Sequence, residues 1–369
     1  MKRLMGKRVI ISGGGTGGHV FPAISIADAL KRIDRNVVIH FVGARGRLEM
    51  SRVPRAGYEI SGLPISGFER RMSLSNVSLG FKLIKSLGKA GKIISSFKPD
   101  VVVGVGGYAS GPVLRVAQMK GIPTIIQEQN SYAGMTNKLL AKKARIICVA
   151  YEGMEKYFPA EKIRLLGNPV RKDLAGLDKK KKEALEYFSL ESSAPVVLVL
   201  GGSGGSRTIN ESLAACLQGM ERERIQLIWQ TGRFYYDRMK EEFEKAKAGQ
   251  ARIHDFIDRM DLAYAAADIV VSRAGAITIS ELSMLGLPAI LVPSPNVADD
   301  HQTKNAMALL QRKAALMIKD SEAAEKLGDT IIGLVNNPQK QKELSANIAS
   351  MAFNDADQLI AGEIMKLAE

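Results

Sequence analysis

Two stretches decide the fold of this chain: VIISGGGTGGH at residues 9–19 and VVLVLGGSGGS at residues 196–206. In each, a short apolar run leads directly into glycines. This is how α/β folds build an anion-binding turn between a buried strand and a helix. Because the pattern occurs twice, it predicts two Rossmann-like domains with a cleft between them and a phosphate-bearing ligand in that cleft.

Length and composition fit a globular protein. The chain has 369 residues, of which 46% are hydrophobic and 24% charged, so two domains with full cores are expected. No apolar run approaches the roughly 18 residues of a membrane helix. The basic first residues are followed by too few apolar ones to resemble a signal peptide. Cys148 and Cys216 do not form a disulfide framework, so a cytoplasmic protein is expected.

The net charge of +14 is unevenly distributed. Residues 1–167 carry a net charge of +17, whereas residues 168–369 carry −3. A strongly basic half predicts an anionic partner, such as a membrane surface or a phosphorylated substrate. No motif of a nucleic-acid-binding family is present, so nucleic acid is not expected as a partner.

Apolar runs alternate with helix-like stretches along the chain, a pattern typical of parallel, doubly wound sheets. The strand-like runs are residues 37–42, 101–105, 124–127, 146–149, 196–200, 226–230, 269–272 and 289–292. The clearest helix-like stretches are residues 23–31, 210–217, 235–246, 278–285 and 304–310. Gly167 and Pro169 mark a hinge at residues 166–171. Domains are therefore expected at residues 1–167 and 168–354.

Two common nucleotide chemistries are disfavoured. A dinucleotide dehydrogenase wants an Asp or Glu near the end of its second strand, to hold the adenosine ribose. Here the corresponding segments, residues 41–45 and 229–232, contain no acidic residue. No Walker lysine follows either glycine-rich loop, so an ATPase is not expected.

Further polar residues follow other strands. A third glycine cluster occupies residues 104–112, and Gln-Glu-Gln-Asn closes the next strand at residues 127–130. Because open α/β sheets bind ligands at the carboxyl ends of their strands, one rim of the cleft is expected to hold four side chains. They are His19, Tyr108, Glu128 and Asn130.

In the second half, residues 272–281 read as a strand end, a turn and a helix start. One interpretation is a capping box, in which Thr278 caps the helix and Glu281 follows three positions later. The other is that the helix N-terminus faces a diphosphate while Glu281 holds a ribose diol. A polar cluster at residues 299–302 precedes another helix. Its pair Asp299-Asp300 is discounted as a metal site.

Taken together, these segments resemble the MurG family of UDP-N-acetylglucosamine:N-acetylmuramyl-(pentapeptide) pyrophosphoryl-undecaprenol N-acetylglucosaminyltransferases. The matching pieces occur in the family's order and span nearly the whole chain. They are GGTGGHVFPA (14–23), VPRAGYEI (53–60), GGYASGP (106–112), EQN (128–130), GNPVR (167–171), GGSGGS (201–206), SRAGAITISE (272–281) and HQTKNA (301–306).

The resemblance implies a GT-B fold, with the lipid acceptor on the N-terminal domain and UDP-N-acetylglucosamine on the C-terminal domain. It implies an inverting transfer without a metal or other cofactor, at the cytoplasmic face of the membrane. In this fold the last helix, about residues 355–369, often packs on the first domain. The donor contacts carried over by motif are Thr16, Gly17, Gly18, Asn130, Arg171, Ser203, Ile257, Ala276, Ile277, Thr278, Ile279, Ser280, Glu281 and Gln302. Ile257 would contact uracil through its backbone.

The transfer needs a base and a means of stabilising the leaving diphosphate. Without a metal, backbone N–H groups, the Ser203 hydroxyl and the Arg171 guanidinium would stabilise that charge. His19 and Glu128 are both candidates for the base that accepts the proton of the acceptor hydroxyl. Each also has a structural interpretation, as a hydrogen-bonded ring and a loop-bracing carboxylate. Tyr108 is expected to contact the acceptor.

Residues 76–97 are the candidate membrane contact. Lys82, Lys85, Lys89 and Lys92 fall on one helical face, and more apolar residues are present than one core-facing stripe requires. A basic helix with spare apolar surface suits anionic lipid. The alternative is a core-packed helix with a solvated lysine face.

Two other functions share part of this pattern. A UDP-sugar 2-epimerase would need no lipid acceptor and leaves the basic, apolar helix unexplained. A non-catalytic nucleotide-sugar-binding protein would keep Arg171, Ser203 and Glu281 but could dispense with His19, Tyr108 and Glu128.

Overall fold

A computed structural model describes residues 6–65, 75–171, 174, 176–202, 204–246 and 249–369, without the side chains of residues 75–79, 178 and 298. The chain divides into two compact units, residues 1–171 with 353–369 and residues 172–352. The chain thus leaves the first unit after Arg171, the last residue of the predicted hinge.

The first unit is built on a parallel sheet. Its strands are β1 (Arg8–Ser12), β2 (Val38–Ala44), β3 (Glu59–Leu63), β4 (Val101–Gly104), β5 (Thr124–Glu128), β6 (Ile146–Val149) and β7 (Ile163–Leu165). Within the described residues they are ordered β3-β2-β1-β4-β5-β6-β7, and every pairing is parallel. Helices α1 (Gly17–Ile33), α2 (Glu49–Arg55), α3 (Ser75–Phe97), α4 (Ser110–Met119) and α5 (Met135–Ala141) connect them.

The second unit has the same plan. Its strands are β8 (Val196–Leu200), β9 (Gln226–Gln230), β10 (Ala251–His254), β11 (Ile269–Ser272), β12 (Ala289–Leu291) and β13 (Leu316–Met317). In the part of the unit that is described, they form a parallel sheet in the order β10-β9-β8-β11-β12-β13. Its helices are α6 (Lys181–Tyr187), α7 (Arg207–Arg222), α8 (Tyr236–Ala246), α9 (Met260–Ala266), α10 (Ala276–Leu285), α11 (His301–Gln311), α12 (Ala323–Val335) and α13 (Pro338–Ala349).

Each sheet is buried on both faces, which explains why its central strands are uninterrupted apolar runs. In the first unit, Val101 and Val103 belong to the core on one face and Val102 to the core on the other. In the second, Val196 and Leu198 pack on one side of β8 and Val197 and Val199 on the other.

The last helix, α14 (Ala356–Leu367), packs on α1 in the first unit. Its residues Ile360, Ala361 and Ile364 are fully buried in the same core as Ile26 and Leu30 of α1. An ion pair between Arg32 and Asp357 joins the two helices at their margin.

Among the residues with described structure, no helix combines the length and apolar character needed to cross a bilayer.

Candidate active site

Both glycine-rich loops lie where the strand order of a sheet reverses. In the first unit β1 and β4 are neighbours, and the first glycine loop and the 104–112 cluster follow their carboxyl ends. In the second unit β8 and β11 are neighbours, followed by the second glycine loop and residues 273–275. Open α/β sheets bind ligands at such reversal points. Each unit therefore presents one candidate site.

The first loop has a conformation that requires glycine. Gly14 and Gly15 have φ of +143° and +94°, and a Cβ on Gly107 would lie 2.2 Å from the Gly14 carbonyl oxygen. Thr16 is the N-cap of α1 but makes no side-chain capping bond. The amides of Gly17 and Gly18 therefore lie in an uncapped first turn, where backbone N–H groups bind anions.

His19 lies between the first loop and the loop after β4. Its Nδ1 is 3.3 Å from the Thr16 hydroxyl. The opposite edge of the ring packs on Gly106, where a Cβ would lie 2.8 Å from both Cδ2 and Nε2. The half-buried imidazole is thus held against two glycine-rich loops at the carboxyl edge of the sheet.

Glu128 is the last residue of β5 and only 2% exposed. One carboxylate oxygen accepts from the backbone and side-chain nitrogens of Asn130, at 3.1 and 3.3 Å. The other accepts from Gly134 N at 2.9 Å and Asn137 Nδ2 at 2.8 Å. Four donors around one carboxylate favour its interpretation as a brace for the β5–α5 loop, and they orient Asn130.

Tyr108 lies in the loop between β4 and α4, and its side chain is exposed. It follows Gly107, which packs on Gly14 of the first glycine loop. Its predicted contact with the acceptor stays a prediction.

Arg171 is the last residue of the first unit before the chain enters the second. Hydrogen bonds of the hinge residues before it hold its backbone in place. Asn168 is buried, donates to Gln129 O at 3.0 Å and accepts from Gln127 Nε2 at 2.9 Å. The carbonyl of Val170 accepts from the Ser25 hydroxyl at 3.4 Å. The backbone that leads to Arg171 is thereby tied to β5 and α1.

The second glycine loop packs closely on the loop after β9. A Cβ on Gly205 would lie 2.2 Å from Thr231 O, and one on Gly232 would lie 2.5 Å from the Gly205 backbone. Ser206 caps α7 by accepting from Ile209 N at 3.3 Å. Ser203, the predicted phosphate ligand of this loop, lies outside the described residues.

The predicted capping role of Thr278 is wrong. Helix α10 begins at Ala276, and its N-cap is Gly275, which has no side chain to cap the first turn. Thr278 is instead inside that turn, together with Ile277. Glu281 does not act as a capping-box partner for Thr278; it is buried, and its Oε2 accepts from the Tyr264 hydroxyl at 2.9 Å. This outcome favours the second interpretation of the segment, an uncapped helix end beside a fixed carboxylate.

The remaining helix residues of the motif have defined surroundings. Ile279 N donates to Gly275 O at 2.9 Å, and the Ser280 hydroxyl donates to Ala276 O at 2.9 Å. Both are ordinary bonds of a first helical turn, and the donor contacts predicted for Ile279 and Ser280 stay predictions.

Ile257, through its backbone N–H, and Gln302, through its side-chain oxygen, each make a hydrogen bond within the second unit. Ile257 N donates to Gln230 Oε1 at 2.9 Å, and Gln230 Nε2 donates to Gly202 O at 3.3 Å in the second glycine loop. Gln302, in the first turn of α11, accepts from Ser294 N at 2.8 Å.

The start of α11 contains the acidic pair. Asp299 and Asp300 both have left-handed backbone conformations, and Asp300 accepts from the Thr303 hydroxyl at 2.7 Å. Among the described residues, no group of three or more His, Cys, Asp or Glu side chains is arranged to hold a metal ion.

Three residues that brace the candidate sites have no signal in the sequence. Glu49 accepts from Gly15 N, Gln230 accepts from Ile257 N, and Tyr264 donates to Glu281. Each contacts a segment that is distant along the chain, and none belongs to a glycine-rich or capping motif. Their roles become visible only when the strands are placed side by side.

Helix α3 changes character along its length. Towards its N-terminus, Phe81 and Ile84 are 75% and 69% exposed, and Leu83 is also exposed. Towards its C-terminus, Ala90 and Ile94 are buried in the core. The predicted lysine face is not uniformly solvated, because Lys89 donates to Gly62 O at 2.6 Å and partial burial lowers the pKa of its ammonium.

Comparison with known proteins identifies related chains. The glycosyltransferase family 28 N-terminal domain matches residues 9–149, and the C-terminal domain of the same family matches residues 196–360. A UDP-N-acetylglucosamine--N-acetylmuramyl-(pentapeptide) pyrophosphoryl-undecaprenol N-acetylglucosamine transferase from Bacteroides thetaiotaomicron is 55% identical, over 98% of both chains. An enzyme of the same name from Porphyromonas gingivalis is 54% identical, over 98% of this chain and 96% of that one.

Solved structures agree in fold. The crystal structure of Acinetobacter baumannii MurG has a TM-score of 0.77 and 28% identity, covering 98% of this chain and 99% of that one. A UDP-N-acetylglucosamine 2-epimerase from Neisseria meningitidis has a TM-score of 0.68, covering 98% of this chain and all of that one. At 13% identity it is similar in fold alone.

Proposed function

Because this chain belongs to glycosyltransferase family 28, we propose that its second unit binds the sugar-nucleotide donor and its first unit the lipid-linked acceptor. The chain has the GT-B fold and is a hexosyltransferase of the MurG family. It transfers N-acetylglucosamine from UDP-N-acetylglucosamine to undecaprenyl-diphosphate-linked N-acetylmuramoyl-pentapeptide, which makes lipid II for peptidoglycan. The observation that carries this conclusion is 55% identity over 98% of both chains to an enzyme of that name.

On the donor side, three features of the second unit support the assignment. The uncapped N-terminus of α10 offers amides to the diphosphate. Glu281, held by Tyr264, offers a carboxylate to the ribose hydroxyls. Since Ile257 N is bonded to Gln230, we assign the Ile257 carbonyl, rather than its N–H, to the N3–H of uracil.

The leaving UDP carries negative charge that must be stabilised as the glycosidic bond to its β-phosphate breaks. In the metal-independent mechanism implied by the family resemblance, amides at the α10 start supply part of that stabilisation. The Arg171 guanidinium is assigned to the same charge by motif alone. Gln302 and Ser203 belong to the same donor set by motif. The second glycine loop supplies further N–H groups next to β8.

On the acceptor side, we assign the base to His19. The 4-hydroxyl of the N-acetylmuramoyl group attacks the anomeric carbon from the face opposite UDP, and the imidazole accepts its proton. Glu128 is less suited, because its two oxygens already accept four hydrogen bonds within its own loop. Its carboxylate serves to fix Asn130 and the β5–α5 loop. Tyr108, exposed beside them, is assigned to the acceptor.

The enzyme must reach a lipid-linked substrate, and we assign membrane contact to the N-terminal half of α3. Its exposed Phe81, Leu83 and Ile84 would enter the lipid, while the exposed Lys85 meets anionic headgroups. The assignment implies a peripheral protein at the cytoplasmic face of the cell membrane.

One assay tests the function directly. Purified protein is incubated with radiolabelled UDP-N-acetylglucosamine and lipid-linked muramoyl-pentapeptide, and the lipid is extracted. Label in the lipid fraction is expected only when the acceptor is present. Label recovered as an epimerised nucleotide sugar without acceptor would instead indicate a 2-epimerase. UDP binding with no product of either kind would indicate a binding protein.

A further inference from the structure

Glu49 is a buried carboxylate beneath the first glycine loop. It is the first residue of α2 and 1% exposed. Its Oε2 accepts from Gly15 N at 2.8 Å, and its Oε1 accepts from Ala44 N, at the end of β2, also at 2.8 Å. The side chain therefore joins the first glycine loop to the neighbouring strand by two charge-assisted hydrogen bonds.

Two glycines make room for this carboxylate. A Cβ on Gly14 would lie 2.2 Å from Glu49 Cδ and Oε1, and a Cβ on Gly43 would lie 2.4 Å from Glu49 Cγ. Gly14 also has a φ of +143°, but the φ of Gly43 is not in the left-handed region. At Gly43 the absence of a side chain is thus explained by the space that Glu49 occupies.

The carboxylate also changes what the loop can bind. The Gly15 amide is taken by Glu49, so it is not available to a substrate oxygen. A negative charge beneath residues 14–15 also opposes the approach of an anion there. The amides of Gly17 and Gly18, in the uncapped first turn of α1, remain as the anion-binding groups, next to His19.

We propose that Glu49 is a positioning residue for the transfer reaction. By fixing residues 14–15, it sets the start of α1 and with it the placement of Thr16 and His19 against the acceptor. It touches no reacting atom. The inference rests on the proposed acceptor role of the first unit.

The test is Glu49→Gln, assayed at saturating concentrations of both substrates. An amide keeps one acceptor oxygen but turns an NH2 group towards the second backbone N–H, so one of the two bonds is lost. We expect kcat to fall at least tenfold. The Kd for UDP, measured by calorimetry, should stay within twofold, since UDP is assigned to the second unit.

A matched control separates positioning from general weakening of the unit. Asp100 Oδ2 accepts from Arg8 N at 2.7 Å, at the amino-terminal edge of the same sheet. Asp100→Asn makes the same chemical change to a carboxylate that braces a backbone amide away from the glycine loops. It should lower the melting temperature to a similar extent while kcat stays within twofold.

A second variant reaches Glu49 from the other side. Gly43→Ala places a methyl group against Glu49, whose Cγ, Oε1 and Cδ are the three atoms nearest to the added Cβ. It should reproduce the loss of kcat.

Wild-type turnover in Glu49→Gln, or an equal kcat loss in Asp100→Asn, would overturn the proposal. If Glu49→Gln does not fold, Glu49→Asp is subject to the same criteria, and failure of both to fold would mean a purely structural role. An inactive wild-type protein would instead contradict the proposed function.

Discussion

At the residue scale, His19 and Glu128 differ in what surrounds their titratable atoms, so their substitutions are distinguishable. The His19 ring is half-buried between two loops, with a hydroxyl near Nδ1. The Glu128 carboxylate is enclosed by four donors. A base must receive the substrate's proton, and the four hydrogen bonds that the Glu128 oxygens already accept make Glu128 the weaker candidate of the two.

We therefore expect His19→Ala to lower kcat by about 100-fold, within the usual range for a general base. The acid limb of the pH profile of kcat/KM should disappear, while the Kd for UDP stays near the wild-type value. Steady-state kinetics between pH 5 and 9 check this. A kcat within tenfold of wild type, with the acid limb intact, would mean that His19 is not the base.

Glu128→Gln should act on stability instead. The amide cannot accept all four bonds, so at least one buried donor loses its partner, at a cost of roughly 1–3 kcal/mol. Thermal unfolding should show that loss, and the acid limb of the pH profile should remain. If Glu128→Gln removed the acid limb at unchanged melting temperature, the base would be Glu128.

The residue scale is also where sequence reasoning reached least far. The motifs placed His19, Tyr108 and Asn130 at the carboxyl edge of one sheet, where they lie. They could not reveal Glu49, since its partners Gly15 and Ala44 come from two other segments. Of the two interpretations of residues 272–281, the capping box with Thr278 as the cap is wrong, because the N-cap of α10 is Gly275.

At the element scale, the length and burial of a strand decided whether it could be predicted. Central strands such as β4 and β8 are buried on both faces and read as unbroken apolar runs. The edge strand β3 begins with the exposed Glu59, and β13 has only two residues, so neither gives such a run. Helix α1 begins at Gly17, six residues before the predicted start at residue 23. The sequence did not indicate this earlier start, because glycines have weak helix propensity.

The proposed membrane contact of helix α3 can be tested by substitution. Phe81→Glu should weaken binding to vesicles containing anionic lipid by about tenfold or more, since burying a phenylalanine contributes roughly 1.5–3 kcal/mol. Co-sedimentation at low ionic strength measures this binding. Added salt should also weaken the binding of the wild-type protein to these vesicles.

The matched control for that surface is Phe234→Glu. Phe234 is 85% exposed but belongs to the second unit, where no membrane contact is assigned. Its substitution should leave vesicle binding unchanged. Equal effects of the two substitutions, or none from Phe81→Glu, would rule out the α3 surface.

At the scale of the whole molecule, the chain returns to its first unit through α14. The sequence pattern alone could not predict this packing, because the apolar face of an amphipathic helix can pack against either core. Ile360→Ala should destabilise the first unit by about 2–5 kcal/mol, because it leaves a cavity between α14 and α1. Hydrogen exchange of the α1 amides should report the loss. Leu359→Ala, at an exposed position of the same helix, is the control and should have little effect.

The stability of the second unit is expected to depend on pH through Asp261, at the start of α9. Hydrogen bonds from Arg259, at 2.9 Å, and from Lys180, at 2.8 Å, hold the pKa of this carboxyl well below its usual value of 3.8. A carboxylate whose pKa is lowered by folding stabilises the native state above its unfolded pKa, and this contribution is lost as the pH falls through the folded pKa.

Asp261→Asn should thus lower the free energy of unfolding by roughly 1.5–3 kcal/mol at pH 7. The difference from wild type should stay constant down to about pH 5 and shrink below pH 4, because the carboxyl then protonates in the unfolded state while it is still ionised in the native state. Trp229, the chain's one tryptophan, is fully buried in this unit, so its fluorescence reports the urea transition there. Asp258→Asn makes the same change at an exposed position and should show a small, pH-independent effect. A difference for Asp261→Asn that grew on acidification would contradict the sign of the pKa shift.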